Sequence, residues 1–436
     1  MKVVKIGLLG LGTVGGGTVN VLAKNAEDIS RRSNCQIIVS SASARDITRT
    51  RICDTDTIQL TTNSQELVND PDIQIVVELM GGEEPAKSLI LQALANGKHV
   101  VTANKALIAN HGNELFAEAV KNNVTLAYEA AIAGGIPIVK AMREGLSANS
   151  IEWLAGIING TGNFILTEMR DKGSAFDDVL AQAQELGYAE ADPEYDVEGI
   201  DAAHKLCILA SLAFGMPLNF ERVYTEGISK VTPLDVTYAE ELGYRIKHLG
   251  VAKKAGNGVE MRVHPTLIPE KRLIANVDGV MNAVVVKGNA VGTTLYYGPG
   301  AGAEATASAV IADIVDICRQ LGAPSDHAVP ALGFSSNQLN ELPILPIEEI
   351  TSAYYLRLSV EDKPGVMAAM TKILADNGIS IEAVLQKEPE QHGANAQVIL
   401  LTDSVLEKSL ITALQQIESL DSINQPAVRI RVESLQ

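Results

Sequence analysis

The chain has 436 residues, of which 46% are hydrophobic and 20% charged, a globular composition that excludes disordered and fibrous proteins. The 35 Lys and Arg against 53 Asp and Glu give a formal net charge of −18, so we expect neither nucleic-acid nor membrane partners. The four cysteines lack disulfide or zinc spacing, and we find no signal or long apolar segment, so a cytoplasmic protein is expected.

Strands and helices alternate along residues 1–140, which predicts βαβ units and a Rossmann-type parallel sheet. An amphipathic helix predicted over Pro85–Asn96 ends at Gly97, a residue typical of a helix C-terminus. The predicted strands are Val3–Leu9, Gln36–Ser43, Ile73–Leu79, His99–Thr102 and Val124–Tyr128.

The pattern changes from Ile151, and residues 141–320 are predicted to form an α+β substrate-binding, catalytic and dimerisation domain. The Ala-rich helix from Ala303 to Leu321 could belong to either domain, and we expect about 303–332 to return to the first one. Residues 333–350 are predicted to be a linker. Residues 351–436 have a βαββαβ pattern, typical of a small ferredoxin-like domain.

A glycine-rich loop follows the first predicted strand and begins a helix. Residues Gly10, Leu11, Gly12, Thr13, Val14 and Gly15 satisfy GxGxxG. Such glycines permit a tight turn, close approach of a pyrophosphate and packing of the helix on the strand. The loop therefore predicts a dinucleotide site, with a plain strand-to-helix turn as the alternative.

The end of the second strand indicates which dinucleotide is bound. An acid there would bind the ribose 2′-hydroxyl of NAD, whereas an arginine would accommodate the 2′-phosphate of NADP. Arg45 precedes Asp46, and Arg49 and Arg51 follow, so we expect NADP(H) to be preferred and NAD(H) to be possible. A solvated Arg45–Asp46 pair without a binding role is the alternative.

Six carboxylates fall between Glu190 and Asp201, and the chain then enters an apolar helix that contains Lys205. Lys205 follows Asp201 by four residues, which places both on one helix face. Burial lowers the pKa of an ammonium and a nearby carboxylate raises it, so such a lysine could exchange a proton. A solvated surface pair is the alternative.

A second lysine, Lys105, directly follows a predicted strand of the parallel sheet. Ligands of such sheets bind beyond the carboxyl ends of the strands, so Lys105 is expected to face cofactor and substrate, with an ordinary loop lysine as the alternative. Residues 129–137 and 158–163 read as glycine-rich, backbone-exposing loops. A dinucleotide, two lysines and an acidic patch together indicate a dehydrogenase acting on a small amino-acid-like molecule.

The chain resembles homoserine dehydrogenase, in the form with a C-terminal ACT domain. The resemblance is carried by GLGTVGGG at residues 10–17, TANKALIA at 102–109, INGTGNFIL at 158–166, ELGYAEADPEYDVEGIDAAHKL at 185–206 and YGPGAG at 297–302. It implies reversible, NAD(P)-dependent interconversion of L-aspartate 4-semialdehyde and L-homoserine, on the route to threonine, methionine and isoleucine.

The resemblance also implies roles for individual residues. Lys205 is expected to be the general acid/base and Lys105 to lie beside the nicotinamide and the substrate oxygen. The acids Glu190, Asp196 and Asp201 are expected to bind the substrate, with Asp196 an acid of the active site, and Gly302 is expected to contact the cofactor. The resemblance leaves open which lysine transfers the proton.

A structural monovalent cation, Na⁺ or K⁺, is implied at the Glu129 side chain and the backbone of Ile132, Gly134 and Ile136. The segment LSVEDKPGVM at residues 358–367 resembles an ACT domain, which implies threonine as a feedback inhibitor. An oligomerisation module without an effector is the alternative for this domain. We expect a homodimer or homotetramer rather than a monomer.

Two other functions compete with this interpretation. Aspartate-semialdehyde dehydrogenase shares a substrate and a dinucleotide fold, but it needs a nucleophilic cysteine, and none of the four cysteines has a convincing setting. A catalytically silent sensor of NADP and an amino acid would need no proton relay, so the two lysines and the acidic cluster argue against it.

Overall fold

The computed structural model describes residues 1–321, 329–387 and 395–436. Its strands are β1 Lys2–Leu9, β2 Cys35–Ser43, β3 Gln59–Thr61, β4 Ile75–Glu78, β5 His99–Thr102, β6 Leu126–Ala127, β7 Ile151–Ile157, β8 Tyr224–Thr225, β9 Tyr244–Ala255, β10 Gly258–Pro269, β11 Met281–Gly288, β12 Gly292–Pro299, β13 Thr351–Val360, β14 Ile381–Lys387, β15 Ala396–Thr402, β16 Val405–Leu406 and β17 Val428–Val432.

The helices lie between these strands. They are α1 Thr13–Lys24, α2 Ala26–Ser33, α3 Ser64–Asn69, α4 Ala86–Ala95, α5 Lys105–Lys121, α6 Ile138–Lys140, α7 Gly160–Lys172, α8 Phe176–Glu185, α9 Glu194–Val197, α10 Ile200–Phe214, α11 Pro233–Glu241, α12 Ala303–Gln320, α13 Val366–Asp376 and α14 Glu407–Glu418. A π-helical turn, Ala141–Gly145, continues α6.

The first compact unit comprises Met1–Gly160, Asp201–Val223 and Val280–Leu342. Its parallel sheet has the order β3-β2-β1-β4-β5-β6. The order reverses between β1 and β4, the point at which such sheets bind ligands beyond their strand ends. This confirms the predicted Rossmann-type sheet, whose strands are nearly continuous apolar runs because helices cover both faces.

The core of this sheet includes residues from the far end of the chain. Val4, Ile6 and Leu8 of β1 and Val310 and Ile314 of α12 are completely buried in one apolar cluster. The same unit holds an antiparallel sheet in which β11 pairs with β12 on one side and β7 on the other. Its helix α10 is buried along almost its whole length, consistent with its apolar sequence.

The second compact unit comprises Thr161–Ile200, Tyr224–Gly279 and Pro343–Gln436. Its strands β9 and β10 form a long antiparallel hairpin. Their pairing runs from Tyr244 opposite Pro269 to Ala255 opposite Gly258. The C-terminal sheet, in the order β17-β13-β15-β14, joins the hairpin because β17 lies parallel to β10. The helices α13 and α14 cover this sheet, and residues such as Tyr354, Met370 and Leu410 fill the core between them.

The mixed fold class, with a Rossmann-type sheet and a C-terminal ferredoxin-like unit, is confirmed. The strand β3 and the first strand of the hairpin were not predicted. The last helix of the predicted βαββαβ pattern, α14, is directly preceded by the two-residue strand β16, which pairs with β13 and was not predicted. No helix in the described part of the chain is long and apolar enough to cross a membrane.

Candidate functional site

The glycine-rich loop lies where β1 ends and α1 begins, at the carboxyl edge of the parallel sheet. Gly10 has φ +103°, and a Cβ there would lie 2.7 Å from the Leu79 carbonyl oxygen. A Cβ at Gly15 would lie 2.4 Å from the Gly10 oxygen, whereas one at Gly12 would meet nothing within 4 Å. Gly10 and Gly15 are thus required by packing, and Gly12 leaves open space before the N-terminus of α1. This geometry fits a dinucleotide pyrophosphate.

The loop after β2 holds the arginines considered for cofactor selection. Arg45 is exposed, and the Asp46 carboxylate accepts hydrogen bonds from the Thr48 side chain (2.7 Å) and backbone amide (2.8 Å). These bonds, the side-chain bond most, lower the pKa of Asp46. Arg51 instead donates to the Leu11 carbonyl of the glycine loop at 2.8 Å. The sequence showed Arg51 only as one of the arginines that follow Arg45 and could not show this contact with the glycine-rich loop.

Lys105 and Lys205 meet at one carboxylate. The Lys205 Nζ lies 2.7 Å from Asp201 Oδ2, and the Lys105 Nζ lies 3.1 Å from Asp201 Oδ1. Lys205 and Asp201 belong to successive turns of α10, while Lys105 is the first residue of α5. The parallel sheet thereby delivers one lysine and the buried helix the other.

The cluster is largely withdrawn from solvent. Side-chain exposure is 7% for Asp201, 12% for Lys205 and 32% for Lys105. Burial by itself would raise the pKa of Asp201, but the two ammonium groups and hydrogen bonds outweigh it and hold the pKa well below its usual range. The alternative of a solvated surface pair is therefore wrong, because the apolar helix buries both partners.

The loop after β7 supplies two further contacts to the cluster. Lys205 Nζ donates to the Ile158 carbonyl oxygen at 2.7 Å, and Asn159 Nδ2 donates to Asp201 Oδ2 at 2.9 Å. The sequence marked residues 158–163 as a backbone-exposing loop, which is wrong from Gly160 onward because α7 begins there, and it missed Asn159 as a partner of Asp201. Only the pairing of loop and helix in space reveals it.

Lys105 begins α5, where a cation opposes the helix dipole at a cost of about 0.3–1 kcal/mol. Asn104 caps the helix by accepting from the Leu107 amide at 3.2 Å and donates to the Gly82 carbonyl at 2.6 Å. The Asp201 carboxylate, 3.1 Å from the Lys105 Nζ, offsets this cost by supplying the negative charge that a helix N-terminus favours.

The predicted substrate acids Glu190 and Asp196 belong to the second unit. Glu190 is exposed, and Asp196 lies half-buried in α9. The Gln184 side chain donates to the Glu190 carbonyl oxygen at 3.1 Å, which fixes the backbone while leaving the carboxylate outside that bond. Asp201 therefore contacts both lysines. Glu190 and Asp196 belong to residues 190–198, which we call the acidic segment.

Glu129, the predicted side-chain ligand of a cation, is completely buried and accepts from the backbone amides of Val139 (2.8 Å) and Lys140 (2.9 Å). Burial, and secondarily Asp313, raise its pKa to about 7, and burial raises the pKa of Asp313 to about 6. The Ile136 carbonyl accepts from the Ile138 amide at 2.8 Å.

The predicted backbone ligands Ile132 and Gly134 lie in the turn after Glu129, and Gly134 has φ +40°. Their carbonyl oxygens are donors suited to a hard monovalent cation, which binds oxygen ligands rather than nitrogen or sulfur. Within the described ranges, no group of three or more His, Cys, Asp or Glu side chains could hold a metal ion.

Gly302 precedes α12 and has φ +129°, which favours glycine. The next residue, Ala303, approaches α1 so closely that a Cβ at Gly17 would lie 2.4 Å from its oxygen. The residue after Gly302 thus lies beside the helix that follows the glycine-rich loop, and the cofactor contact of Gly302 stays a prediction.

Three family models match the chain. They are described as Homoserine dehydrogenase, NAD binding domain (residues 10–129), Homoserine dehydrogenase (137–315) and ACT domain (354–422). The homoserine dehydrogenase of Pseudomonas aeruginosa is 59% identical over 435 residues, covering 100% of both chains. That of Bacillus subtilis is 38% identical, covering 99% of both.

The chain is also similar to solved structures of homoserine dehydrogenases. A homoserine dehydrogenase from Thiobacillus denitrificans is 60% identical and superposes with a TM-score of 0.96, covering 100% of this chain and 99% of that one. A hyperthermophilic archaeal homoserine dehydrogenase in complex with NADPH is 29% identical, with a TM-score of 0.62, covering 74% of this chain and 99% of that one.

Proposed function

The chain belongs to the homoserine dehydrogenase family, and we propose that it interconverts L-aspartate 4-semialdehyde and L-homoserine in the biosynthesis of threonine, methionine and isoleucine. The observation that carries this proposal is the buried cluster in which Lys105 and Lys205 bind opposite oxygens of Asp201. The cluster belongs to the same compact unit as the glycine-rich loop. A dinucleotide loop and a cluster of two lysines suit the reduction of a carbonyl group, in which hydride adds to the carbon and a proton adds to the oxygen.

Bound NAD(P)H would supply the hydride to the aldehyde carbon. As that carbon becomes tetrahedral, negative charge develops on its oxygen, and the Lys205 ammonium stabilises the charge and donates the proton. Lys105 contributes a second positive charge to the oxygen. In the reverse direction, neutral Lys205 accepts the hydroxyl proton. Asp201 holds both ammonium groups in position, so the site pays little reorganisation free energy during the reaction.

The amino-acid part of the substrate carries an ammonium group that needs carboxylate partners. We assign Glu190 and Asp196 to this role, with Asp196 an acid of the active site, because both lie in the acidic segment and the Glu190 carboxylate is exposed. We also assign Asp201 to the substrate site, where its contacts with both lysines make orientation of those side chains its main contribution.

For the cofactor, we propose a preference for NADP(H) with NAD(H) possible. The support is the exposed Arg45 at the end of β2, where a 2′-phosphate would be accommodated. The archaeal relative in complex with NADPH supports only the ability of such a site to accept a 2′-phosphate. Gly10 to Gly15 would hold the pyrophosphate, and Lys105 and Gly302 would lie near the nicotinamide end.

We further propose a structural Na⁺ or K⁺ at Glu129, Ile132, Gly134 and Ile136. A cation there would offset the free energy that burial of the Glu129 carboxylate costs. The thermal midpoint of the protein should then be higher in NaCl or KCl than in choline chloride at equal ionic strength. Equal midpoints in all three salts would argue against a bound cation.

The C-terminal ACT domain is proposed to bind threonine as a feedback inhibitor, and the alternative is an oligomerisation module. We propose that the protein is a homodimer or homotetramer. In functional terms we divide the chain into a dinucleotide domain (1–140 with about 303–332), a substrate and dimerisation domain (141–320), a linker (333–350) and the ACT domain (351–436).

The competing aspartate-semialdehyde dehydrogenase activity needs a cysteine thiolate. Cys207 is completely buried within α10, and burial raises its pKa to about 12. Burial likewise raises the pKa of Cys318 to about 12 and that of the half-buried Cys53. None of these thiols is activated, so a thioester mechanism is disfavoured.

The test is oxidation of NADPH and NADH, followed at 340 nm, with aspartate 4-semialdehyde as substrate and with a threonine titration. We expect turnover with both cofactors, faster with NADPH, and inhibition by threonine. Binding of NADPH without turnover in either direction would replace the enzyme by the sensor alternative. Turnover without threonine inhibition would leave the ACT domain as an oligomerisation module.

A further inference from the structure

Residues 226–229, which we call the bridging loop, lie between the acidic segment and the C-terminal sheet, all within the second unit. The loop follows β8 and is held to β10 by a hydrogen bond from the Glu226 amide to the Val263 carbonyl at 2.8 Å. Its neighbours on the other sides are the end of the acidic segment and the last strand, β17. This position gives the C-terminal domain a physical connection to the proposed substrate acids.

The bridging loop binds the end of the acidic segment through backbone and side chain. The Ile228 amide donates to the Val197 carbonyl at 2.9 Å, and the Ser229 hydroxyl donates to Glu198 Oε1 at 2.7 Å. A Cβ at Gly227 would lie 2.7 Å from the Val197 carbonyl oxygen. A larger residue would therefore clash with the backbone of the acidic segment, which shows how closely the loop packs against it.

His248 of β9 adds a second contact. Its Nε2 lies 3.0 Å from the Glu226 carbonyl oxygen, to which it donates, and its ring packs against Gly199, where a Cβ would lie 3.1 Å from Cε1. The ring is buried, and burial lowers the pKa of His248 so that the neutral form dominates. The end of the acidic segment thus rests on a ring that is itself oriented by Glu226.

From the C-terminal domain, Arg431 of β17 reaches the bridging loop. Its Nη1 lies 2.9 Å from Glu226 Oε2, and its side chain is only 2% exposed. The Tyr224 hydroxyl donates to the same Glu226 oxygen at 3.0 Å. Arg431 also binds the fully buried Glu407 at the start of α14. The guanidinium therefore joins the last strand and the last helix to the loop.

We propose that Glu226 and Arg431 are positioning residues for the acidic segment, so that the C-terminal domain sets the affinity for the amino-acid part of the substrate. This inference rests on the proposed function, since it takes Glu190 and Asp196 as substrate acids. The Glu226 carboxylate accepts from Arg431 while its carbonyl accepts from His248. Glu226 thereby connects the ACT domain, through Arg431, to His248, whose ring packs against Gly199 at the end of residues 197–199.

The kinetic test is the variant Glu226→Gln, which keeps the size of the side chain and its backbone contacts but weakens the charge-assisted bond to Arg431. The KM for aspartate 4-semialdehyde should rise about threefold to tenfold, with kcat and the KM for NADPH within about twofold of wild type. Glu241→Gln is the matched control, because Glu241 also pairs with the ACT domain, at Lys387, but lies in α11 rather than in the bridging loop.

Hydrogen exchange supplies a second, activity-independent measurement. In Glu226→Gln the backbone amides of residues 190–199 should exchange faster than in wild type, and in Glu241→Gln they should not. Arg431→Lys should have the same effect on exchange as Glu226→Gln. If Arg431→Lys does not fold, because Glu407 loses part of its pairing, the result for Glu226→Gln alone decides whether the proposal holds.

Three outcomes bear on the proposal. A selective rise in the KM for the semialdehyde, together with faster exchange in residues 190–199, supports it. Equal behaviour of Glu226→Gln and Glu241→Gln, or a uniform loss of all kinetic parameters with the thermal midpoint, overturns it. A wild type without turnover contradicts the proposed function instead, and the exchange data then still decide whether the two residues hold the acidic segment.

Discussion

Lys105 and Lys205 bind opposite oxygens of a single carboxylate, Asp201, from two different helices. Two ammonium groups this close would repel each other strongly in a poorly hydrated site, and the shared carboxylate offsets that repulsion. Because one carboxylate faces two ammonium groups, the cluster keeps a net positive charge. An oxygen that gains negative charge is the natural partner of such a site.

The first prediction concerns Lys205. Lys205→Ala removes the proposed proton donor, and kcat should fall by about 10²–10⁴-fold while NADPH binding, measured by fluorescence, stays near the wild-type affinity. Lys205→Arg keeps the positive charge but holds its proton too tightly, so it should fold normally and also turn over slowly. Retention of more than about a tenth of the wild-type kcat in both variants would assign proton transfer to Lys105 instead.

The second prediction separates packing from binding in the glycine-rich region. Gly12→Ala meets no protein atom within 4 Å, so its thermal midpoint should match that of wild type while NADPH affinity falls at least about tenfold. Gly17→Ala would place its Cβ 2.4 Å from the Ala303 oxygen. Its free energy of unfolding should fall by about 1–3 kcal/mol because α12 must move.

These two variants can be compared by calorimetry and by NADPH titration. If Gly12→Ala binds NADPH as wild type does, the open space before α1 does not hold the pyrophosphate. If Gly17→Ala keeps the wild-type thermal midpoint, α1 and α12 can move apart without a loss of stability.

The third prediction concerns cofactor choice. Arg45→Ala removes the only arginine that directly follows β2, and the ratio of kcat/KM for NADPH to that for NADH should fall about tenfold to hundredfold. Arg51→Ala is the matched control, because Arg51 binds the Leu11 carbonyl and should support both cofactors equally. An unchanged ratio in Arg45→Ala would move the 2′-phosphate contact to another residue.

The fourth prediction concerns acid stability. Burial would raise the pKa of Asp278, but hydrogen bonds and charges from Arg170 and Lys247 outweigh it and lower the pKa to about 2. Since the pKa of an unfolded Asp is about 3.9, this group stabilises the folded protein fully above about pH 4 and loses that contribution as the pH falls towards about 2.

Urea unfolding at pH 5 and pH 3 tests this. The free energy of unfolding should decline less between the two pH values in Asp278→Asn than in wild type, although the variant is less stable at pH 5. An equal decline in both proteins would show that Asp278 is not the carboxylate responsible.

The sequence predicted the parts of the structure that depend on local patterns. The buried parallel strands are continuous apolar runs, and the glycine-rich loop has a fixed spacing, so β1 was located to within a residue and α1 begins in the loop, as predicted. The first strand of the long hairpin was missed because Arg245, Lys247 and His248 interrupt its apolar pattern. Lys247 is buried only because Asn163, Val277 and Asp278 surround it.

The candidate site was predictable in its residue types and less so in its contacts. Lys105 and Lys205 were identified from position and from the resemblance to the family. Their common contact with Asp201 depends on how β5, β7 and α10 pack in the folded chain. The hydrogen bond from Asn159 to Asp201 depends on the same packing. A helical spacing of four residues shows that Asp201 and Lys205 can pair, but only tertiary packing decides that the pair is buried.

The parallel pairing of β17 with β10 affects how the protein can be divided. A shortened chain that ends in the linker would lose β17 and with it Glu433, the partner of the completely buried Arg262. It would also expose the edge of the hairpin, where unpaired backbone groups invite pairing with other chains and aggregation. In engineering terms, β17 is therefore a structural part of the second unit, and a variant without the proposed threonine inhibition is better sought by point substitutions than by truncation.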